Sequence, residues 1–143
     1  MKTIAQVLGS RLGSVIKVGP AESVLYALEV MAQHDVGAVL VMEGDNLVGI
    51  LTERDYARKV ALKNKVSDTT RVRDIMTSYV ICATPFMTVE HAMTLTSERN
   101  IRHLPVVDEY KDVVGVISTR DLVRAMLDEQ AFVIQQLEQY ITA

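Results

Sequence analysis

Val24, Ala27, Leu28 and Met31 recur at i, i+3, i+4 and i+7, the spacing that lines one face of an α-helix with apolar side chains. Val89, Ala92 and Met93 begin the same stripe further along the chain. Each stripe is preceded by a short apolar stretch and a proline, Val15–Val18 before Pro20 and Val80–Ala83 before Pro85. Each is followed by two apolar runs joined by turn residues. In one copy these are Ala38–Met42, Glu43-Gly44-Asp45-Asn46 and Leu47–Leu51; in the other they are Leu104–Val107, Asp108–Asp112 and Val113–Ile117. Short Val- and Ile-rich runs separated by such turns predict β-hairpins. Pro105 has no amide hydrogen, so its strand is expected to begin at, or lie along, a sheet edge.

The two patterns are one pattern used twice. A shift of 65 residues superimposes Val15-Ile16 on Val80-Ile81, Pro20 on Pro85, Val24 on Val89, Ala27 on Ala92 and Val41 on Val106, six identities over the 27 positions from Val15 to Val41. One extra residue near Asp112 changes the offset to 66, which aligns Val48-Gly49 with Val114-Gly115, Arg54-Asp55 with Arg120-Asp121 and Arg58 with Arg124. A duplication of this kind governs the fold. Each half is expected to run strand, helix, strand, strand, helix, giving an α+β protein. Residues 1–66 would hold the first repeat with its N-terminal segment, 67–127 the second, and 128–143 a helical extension. From Asp121 to Tyr140 one long helix is expected, with Leu122, Met126, Val133, Leu137 and Tyr140 among its apolar positions.

The last helix of each copy opens on Thr52-Glu53-Arg54-Asp55 or Ser118-Thr119-Arg120-Asp121. A hydroxyl followed three residues later by a carboxylate forms a capping box, and that alone accounts for both tetrapeptides. Their position admits a second use. Each follows an apolar-Gly-apolar-apolar strand end, where a helix N-terminus meets a sheet edge and free N–H groups favour anions and hydroxyl-rich ligands. A carboxylate there can accept two hydrogen bonds from a vicinal diol such as a ribose presents.

Composition narrows the classes. Net charge is −3 with pI 5.6, which speaks against general nucleic-acid affinity. Six bases between Arg58 and Arg73 against Asp68 alone make that stretch +5 and leave −8 elsewhere. It reads as a solvated linker or as a local attraction for a phosphate-bearing ligand. The longest apolar runs are about five residues, far from the roughly 20 a membrane span requires. With one cysteine, Cys82, and no apolar leader after Met1, a reducing cytoplasm is expected. His34, His91 and His103 lack metal-ligand spacing, Cys82 stands in an apolar strand without an evident base, and no P-loop or Gly-x-Gly-x-x-Gly fingerprint occurs. Met31, Met76, Met87, Met93 and Met126 read as gap-filling core. Neither repeat pairs a nucleophile with a base, so no enzyme and no catalytic cofactor are expected.

The duplicated pattern, Val72-Arg73-Asp74-Ile75-Met76-Thr77, Arg102-His103-Leu104-Pro105-Val106-Val107-Asp108 and the two Gly-x-x-[Thr/Ser]-x-x-Asp endings closely resemble a tandem pair of cystathionine-beta-synthase (CBS) domains, over about Ile4 to Leu127. The resemblance implies two β-α-β-β-α repeats about a pseudo-twofold axis, with two clefts that take adenosine derivatives: AMP, ADP, ATP, NAD(H) or S-adenosylmethionine. It implies that Asp55 with Thr52, and Asp121 with Ser118, hold the ribose. Asp55 would face Ser78, Tyr79, Val80, Ile101, Arg102 and His103, and Asp121 would face Gly13, Val15, Val36, Gly37 and Ala38. Arg102 and His103 can donate to phosphate oxygens where Gly37-Ala38 cannot, so the Asp55 cleft is expected to hold a nucleotide phosphate more tightly, with Arg102 as the main clamp. Arg54 and Arg120 could reach phosphates or make surface ion pairs. The expected role is a regulatory module that binds an adenine nucleotide, forms a symmetric homodimer and signals to an effector protein. A structural dimer with vestigial clefts is the alternative.

Overall fold

Ser23 and Thr88 each accept a hydrogen bond from the backbone N–H three residues on and so start the two striped helices, α2 (Val24–His34) and α5 (Val89–Arg99). Both helices end on a residue in the left-handed region, Asp35 at φ 53° and Asn100 at φ 52°, which Asp and Asn tolerate better than most side chains. The computed structural model describes residues 2–142. Before α2 lie α1 (Ile4–Leu8), a 3-10 turn (Gly9–Arg11) and β1 (Lys17–Val18). After it come the hairpin β2 (Ala38–Glu43) and β3 (Asn46–Thr52), then α3 (Glu53–Tyr56) running into a π-helical turn (Ala57–Ala61), and α4 (Val72–Ile75). The second copy continues through α5 to the hairpin β4 (His103–Val107) and β5 (Val113–Ser118), and ends in α6 (Thr119–Thr142).

The chain divides into two compact units, Ser14–Ile81 and Met1–Gly13 with Cys82–Ala143. In the first, β1 pairs parallel to β2, and β2 pairs antiparallel to β3. Its core gathers Val24, Ala27, Val30 and Met31 of α2 with Val39, Val41, Leu51, Val60, Val72 and Ile75. In the second, β4 pairs antiparallel to β5. Val89, Ala92, Leu104, Val106, Ile117 and Leu122 are buried there, as are Ile4 and Leu8 of α1. Both hairpins break register at the same repeated place, Val41/Met42 and Val106/Val107. Of the methionines, Met31 is fully buried, and Met76, Met87, Met93 and Met126 are half-buried.

The expectation of a first strand in both copies holds for one. Val80–Ala83 makes a single parallel bridge, Ala83 to Val106, where Ala83 donates to the Pro105 carbonyl at 2.8 Å and accepts from Val107 N–H at 2.9 Å. In the first copy the ladder is extended by Leu40, whose N–H donates to Ile16 O at 3.1 Å. Pro105 stands at the position of Leu40 and has no amide hydrogen to donate, so the ladder stops at the Ala83 bridge.

Each unit also carries a short flanking helix. Val72 and Arg73 donate to Glu22 O and Pro20 O at 2.9 and 3.0 Å, fixing α4 against the start of α2. Ile4 and Ala5 donate to Met87 O and Pro85 O, both at 2.9 Å, fixing α1 against the start of α5. The repeated glycines accept the flanks. A Cβ at Gly49 would meet Met76 Sδ at 2.6 Å, and a Cβ at Gly115 would meet Leu8 Cδ1 at 2.9 Å.

Candidate functional site

The repeated tetrapeptides sit at the strand-to-helix junctions β3–α3 and β5–α6. Thr52 has extended backbone angles, φ −116° and ψ 163°, and turns the chain out of the strand. Its hydroxyl accepts from Asp55 N–H at 3.1 Å and donates to Asp55 Oδ2 at 3.1 Å, while Thr52 N–H donates to the same Oδ2 at 3.1 Å. Ser118 and Asp121 repeat the arrangement: Ser118 N–H and Oγ–H donate to Asp121 Oδ2 at 2.9 Å each, and Asp121 N–H donates to Ser118 Oγ at 3.1 Å. Both tetrapeptides therefore make the capping-box contacts that spacing alone predicts. The cap also fixes each carboxylate at the helix mouth, with Oδ1 on the side away from the cap.

The two Oδ1 atoms differ in what they meet. Asp55 Oδ1 accepts from Thr77 Oγ1 at 3.1 Å and pairs with Lys59 Nζ at 3.0 Å; Lys59 Nζ also donates to Ile75 O at 3.0 Å. Asp55 is 7% exposed, and burying a carboxylate requires such partners. Asp121 Oδ1 pairs with Arg11 at 3.3 Å, between side chains 24% and 54% exposed. An ion pair that open to water is weak and easily exchanged for another donor. A diol approaching Asp121 has to displace Arg11 alone, whereas at Asp55 it meets an ammonium and a hydroxyl already in place.

Lys59, Thr77 and Arg11 were not singled out as carboxylate partners in the sequence. Lys59 is readable in hindsight, because Asp55 and Lys59 are i, i+4 neighbours on a helical surface. Thr77 and Arg11 follow the flanking helices α4 and α1, and no local spacing announces them.

The remaining expected site residues fall as follows. In the unit Ser14–Ile81, Gly37 O accepts from Glu53 N–H at 3.1 Å, which brings Val36, Gly37 and Ala38 beside the mouth of α3. Arg54 is half-buried in the first turn of α3, Val15 and Val80 are half-buried, and Ser78 and Tyr79 are exposed, Tyr79 by 81%. In the other unit Arg102 takes the place of Gly37: its carbonyl accepts from Thr119 N–H at 2.8 Å and Thr119 Oγ1 at 3.2 Å. That brings Ile101, Arg102 and His103 beside the mouth of α6, with His103 opposite Ser118 in the hairpin. The Arg102 and Arg120 side chains are exposed. Gly13 N–H donates to Val114 O, and Gly13 adopts φ 92°, a conformation suited to glycine. Arg102 and His103 thus share a unit with Asp121, and Val36–Ala38 and Ser78–Val80 share one with Asp55.

Elsewhere, burial pushes the Cys82 thiol above its usual pKa, which disfavours the thiolate a nucleophile needs. Among the described residues no cluster of three or more His, Cys, Asp or Glu is placed to hold a metal, and no helix is long and apolar enough to cross a membrane.

The CBS-domain family model matches residues 11–62 and again 72–128. A CBS domain-containing protein of Arabidopsis thaliana, CBSX3, described as mitochondrial, is 38% identical over 97% of this chain and 71% of its own length. The solved structure of a putative signal-transduction protein with CBS domains from Burkholderia ambifaria is 39% identical, with a TM-score of 0.86 over 90% of this chain and 96% of that one. The CBS domain pair of protein MJ0100, solved in complex with 5'-methylthioadenosine and S-adenosyl-L-methionine, is 27% identical, with a TM-score of 0.78 over 90% of this chain and 98% of that one.

Proposed function

The chain belongs to the CBS-domain family, and we propose that it is a regulatory module that binds an adenosine-containing ligand through Asp55 and Asp121 and passes its occupancy to an effector protein. One observation carries this reading: the same carboxylate is held at the same strand-to-helix mouth in both repeats, its Oδ2 fixed by the cap and its Oδ1 directed away from it. A ribose diol donates twice, and a carboxylate fixed at a helix mouth accepts both bonds without first having to be ordered. The adenosine-type ligands of MJ0100 support the ligand class. Within it the candidates are AMP, ADP, ATP, NAD(H) and S-adenosylmethionine. Thr52 and Ser118 hold the carboxylates, and Arg102, with His103, supplies the donors for phosphate where the ligand has one. The working form is a homodimer in a reducing cytoplasm, and the role is regulation without catalysis.

The deciding experiment is thermal melting with AMP, ATP, NADH and S-adenosylmethionine. A ligand at a hundred times its Kd stabilises the native state by about 2.7 kcal/mol, roughly 5–10 °C for a chain of this size. If none of the four moves the transition, the proposal fails. A second reading then takes its place, one favoured by the completed capping boxes: the aspartates serve only the fold, and the working surface is one that associates.

A further inference from the structure

Thr119–Thr142 is one continuous helix, yet Leu122 and Ala125 are its only fully buried residues among those described. Beyond them Leu127 is 60% exposed, Val133 50%, Ile134 55%, Leu137 55%, Tyr140 83% and Ile141 79%. These positions follow a seven-residue rule: Leu127, Ile134 and Ile141 form one column, Val133 and Tyr140 the column beside it, and Gln130 and Leu137 the third. A seven-residue apolar repeat is the pattern of helices that wind around one another, and it is self-complementary, since each copy offers the same knobs and holes. Six large side chains exposed by half or more present apolar surface on the order of the ~800 Å² that each partner contributes to a standard specific interface. The acids of this stretch, Asp128, Glu129 and Glu138, lie off the two central columns. The stripe runs on into a groove of ≈390 Å³ lined by Glu90 of α5 and by Met126, Glu129, Gln130, Val133 and Ile134 of α6. Inside it Glu90 Oε2 is buried with no hydrogen-bond partner among the described residues, an arrangement that carries a cost until a donor arrives.

We propose that the distal half of α6 is a docking surface for the same helix of a second copy of this chain, paired antiparallel, with the second copy's Tyr140–Ile141 end seated in the groove at Glu90. A parallel pair would bring the two Glu90 carboxylates to the same end, where like charges repel. Reversal separates them. It layers Ile134 against Leu137 of the second copy, sets Glu138 opposite Ala131, and carries the Tyr140 hydroxyl to the groove, where it donates to Glu90 Oε2. This inference rests on the homodimer reading above and names its surface; it does not depend on the ligand.

The test is the solution mass of the full chain by light scattering at micromolar concentration. Wild type is expected at twice 15.9 kDa, and Ile134→Lys or Leu137→Lys at the single-chain mass, with circular dichroism unchanged because both side chains point to solvent in one copy. A wild type of single-chain mass overturns the homodimer and the inference together. Variants that keep the doubled mass overturn the α6 surface and leave a dimer formed elsewhere. Orientation is read in a Cys82→Ser background: mixing Ile134→Cys with Leu137→Cys should give an oxidised cross-link between the two variants, whereas a cross-link of Ile134→Cys to itself contradicts the antiparallel pair. Tyr140→Phe should weaken association about tenfold, and no change removes the Glu90 contact.

Discussion

Asp55→Ala and Asp121→Ala remove the same side chain from the same motif, and the structure separates their consequences. At Asp55 the substitution deletes the acceptor of four donors, Thr52 N–H, Thr52 Oγ, Thr77 Oγ and the Lys59 ammonium. The residue is 7% exposed, so water is poorly placed to replace it. A hydrogen bond to a charged group contributes about 1.5–3 kcal/mol, and a polar group stranded in the interior costs about 1–3 kcal/mol. Lys59 is 43% exposed and rehydrates, so its share is small. Allowing for bonds that re-form to water, the loss is about 3 kcal/mol. At Asp121 the partners are Ser118 and the 54% exposed Arg11. The loss there is that of a helix cap, about 1 kcal/mol. Urea unfolding followed by circular dichroism, in the absence of ligand, measures both. Equal losses, or a larger loss for Asp121→Ala, would refute the claim that the two carboxylates sit in different environments.

Further outcomes follow from particular contacts. Gly49→Ala should destabilise by about 1–3 kcal/mol and Gly115→Ala by less, because the new Cβ at Gly49 meets Thr77 O of the backbone at 3.0 Å as well as Met76, whereas at Gly115 it meets the movable end of Leu8; paired urea titrations decide the order. Pro105→Leu should restore an amide at the position where Leu40 N–H bonds to Ile16 O in the first copy, and that amide should be protected from exchange; fast hydrogen exchange there would contradict the account of the lost strand. Cys82 should react with a thiol reagent more slowly at pH 8 than a free cysteine and speed up as pH rises, since its raised pKa leaves little thiolate below that range; a rate matching free cysteine at pH 8 would contradict it.

The strands and helices that alternate or stripe by a local period were legible in the sequence. Both hairpins, α2, α5 and the long terminal helix lie where apolar spacing puts them, because each rule needs only a few consecutive residues. The Thr52-to-Asp55 and Ser118-to-Asp121 caps were legible for the same reason. What escaped depended on distant partners. Pro105 announced an edge, but its effect fell on the pairing of Ala83, some 22 residues earlier in the chain, which stays a single bridge to Val106. The flanking helices α1 and α4 are each a turn or so long, too short for a periodic signal, and with them went Arg11 and Thr77 as partners of the two aspartates. The apolar positions of α6 were read correctly, but whether a stripe faces a core or water is a property of the packed unit.

The central claim is that a fixed carboxylate at the mouth of α6 grips a ribose. Isothermal titration of adenosine, AMP and S-adenosylmethionine into wild type and Asp121→Ala tests it most directly, because the substitution leaves the fold within about 1 kcal/mol. The account predicts saturable binding of at least one of these ligands to wild type and a loss of affinity of tenfold or more in the variant, about 1.4 kcal/mol or greater. Identical isotherms for the two proteins, or flat ones for all three ligands with wild type, would contradict it.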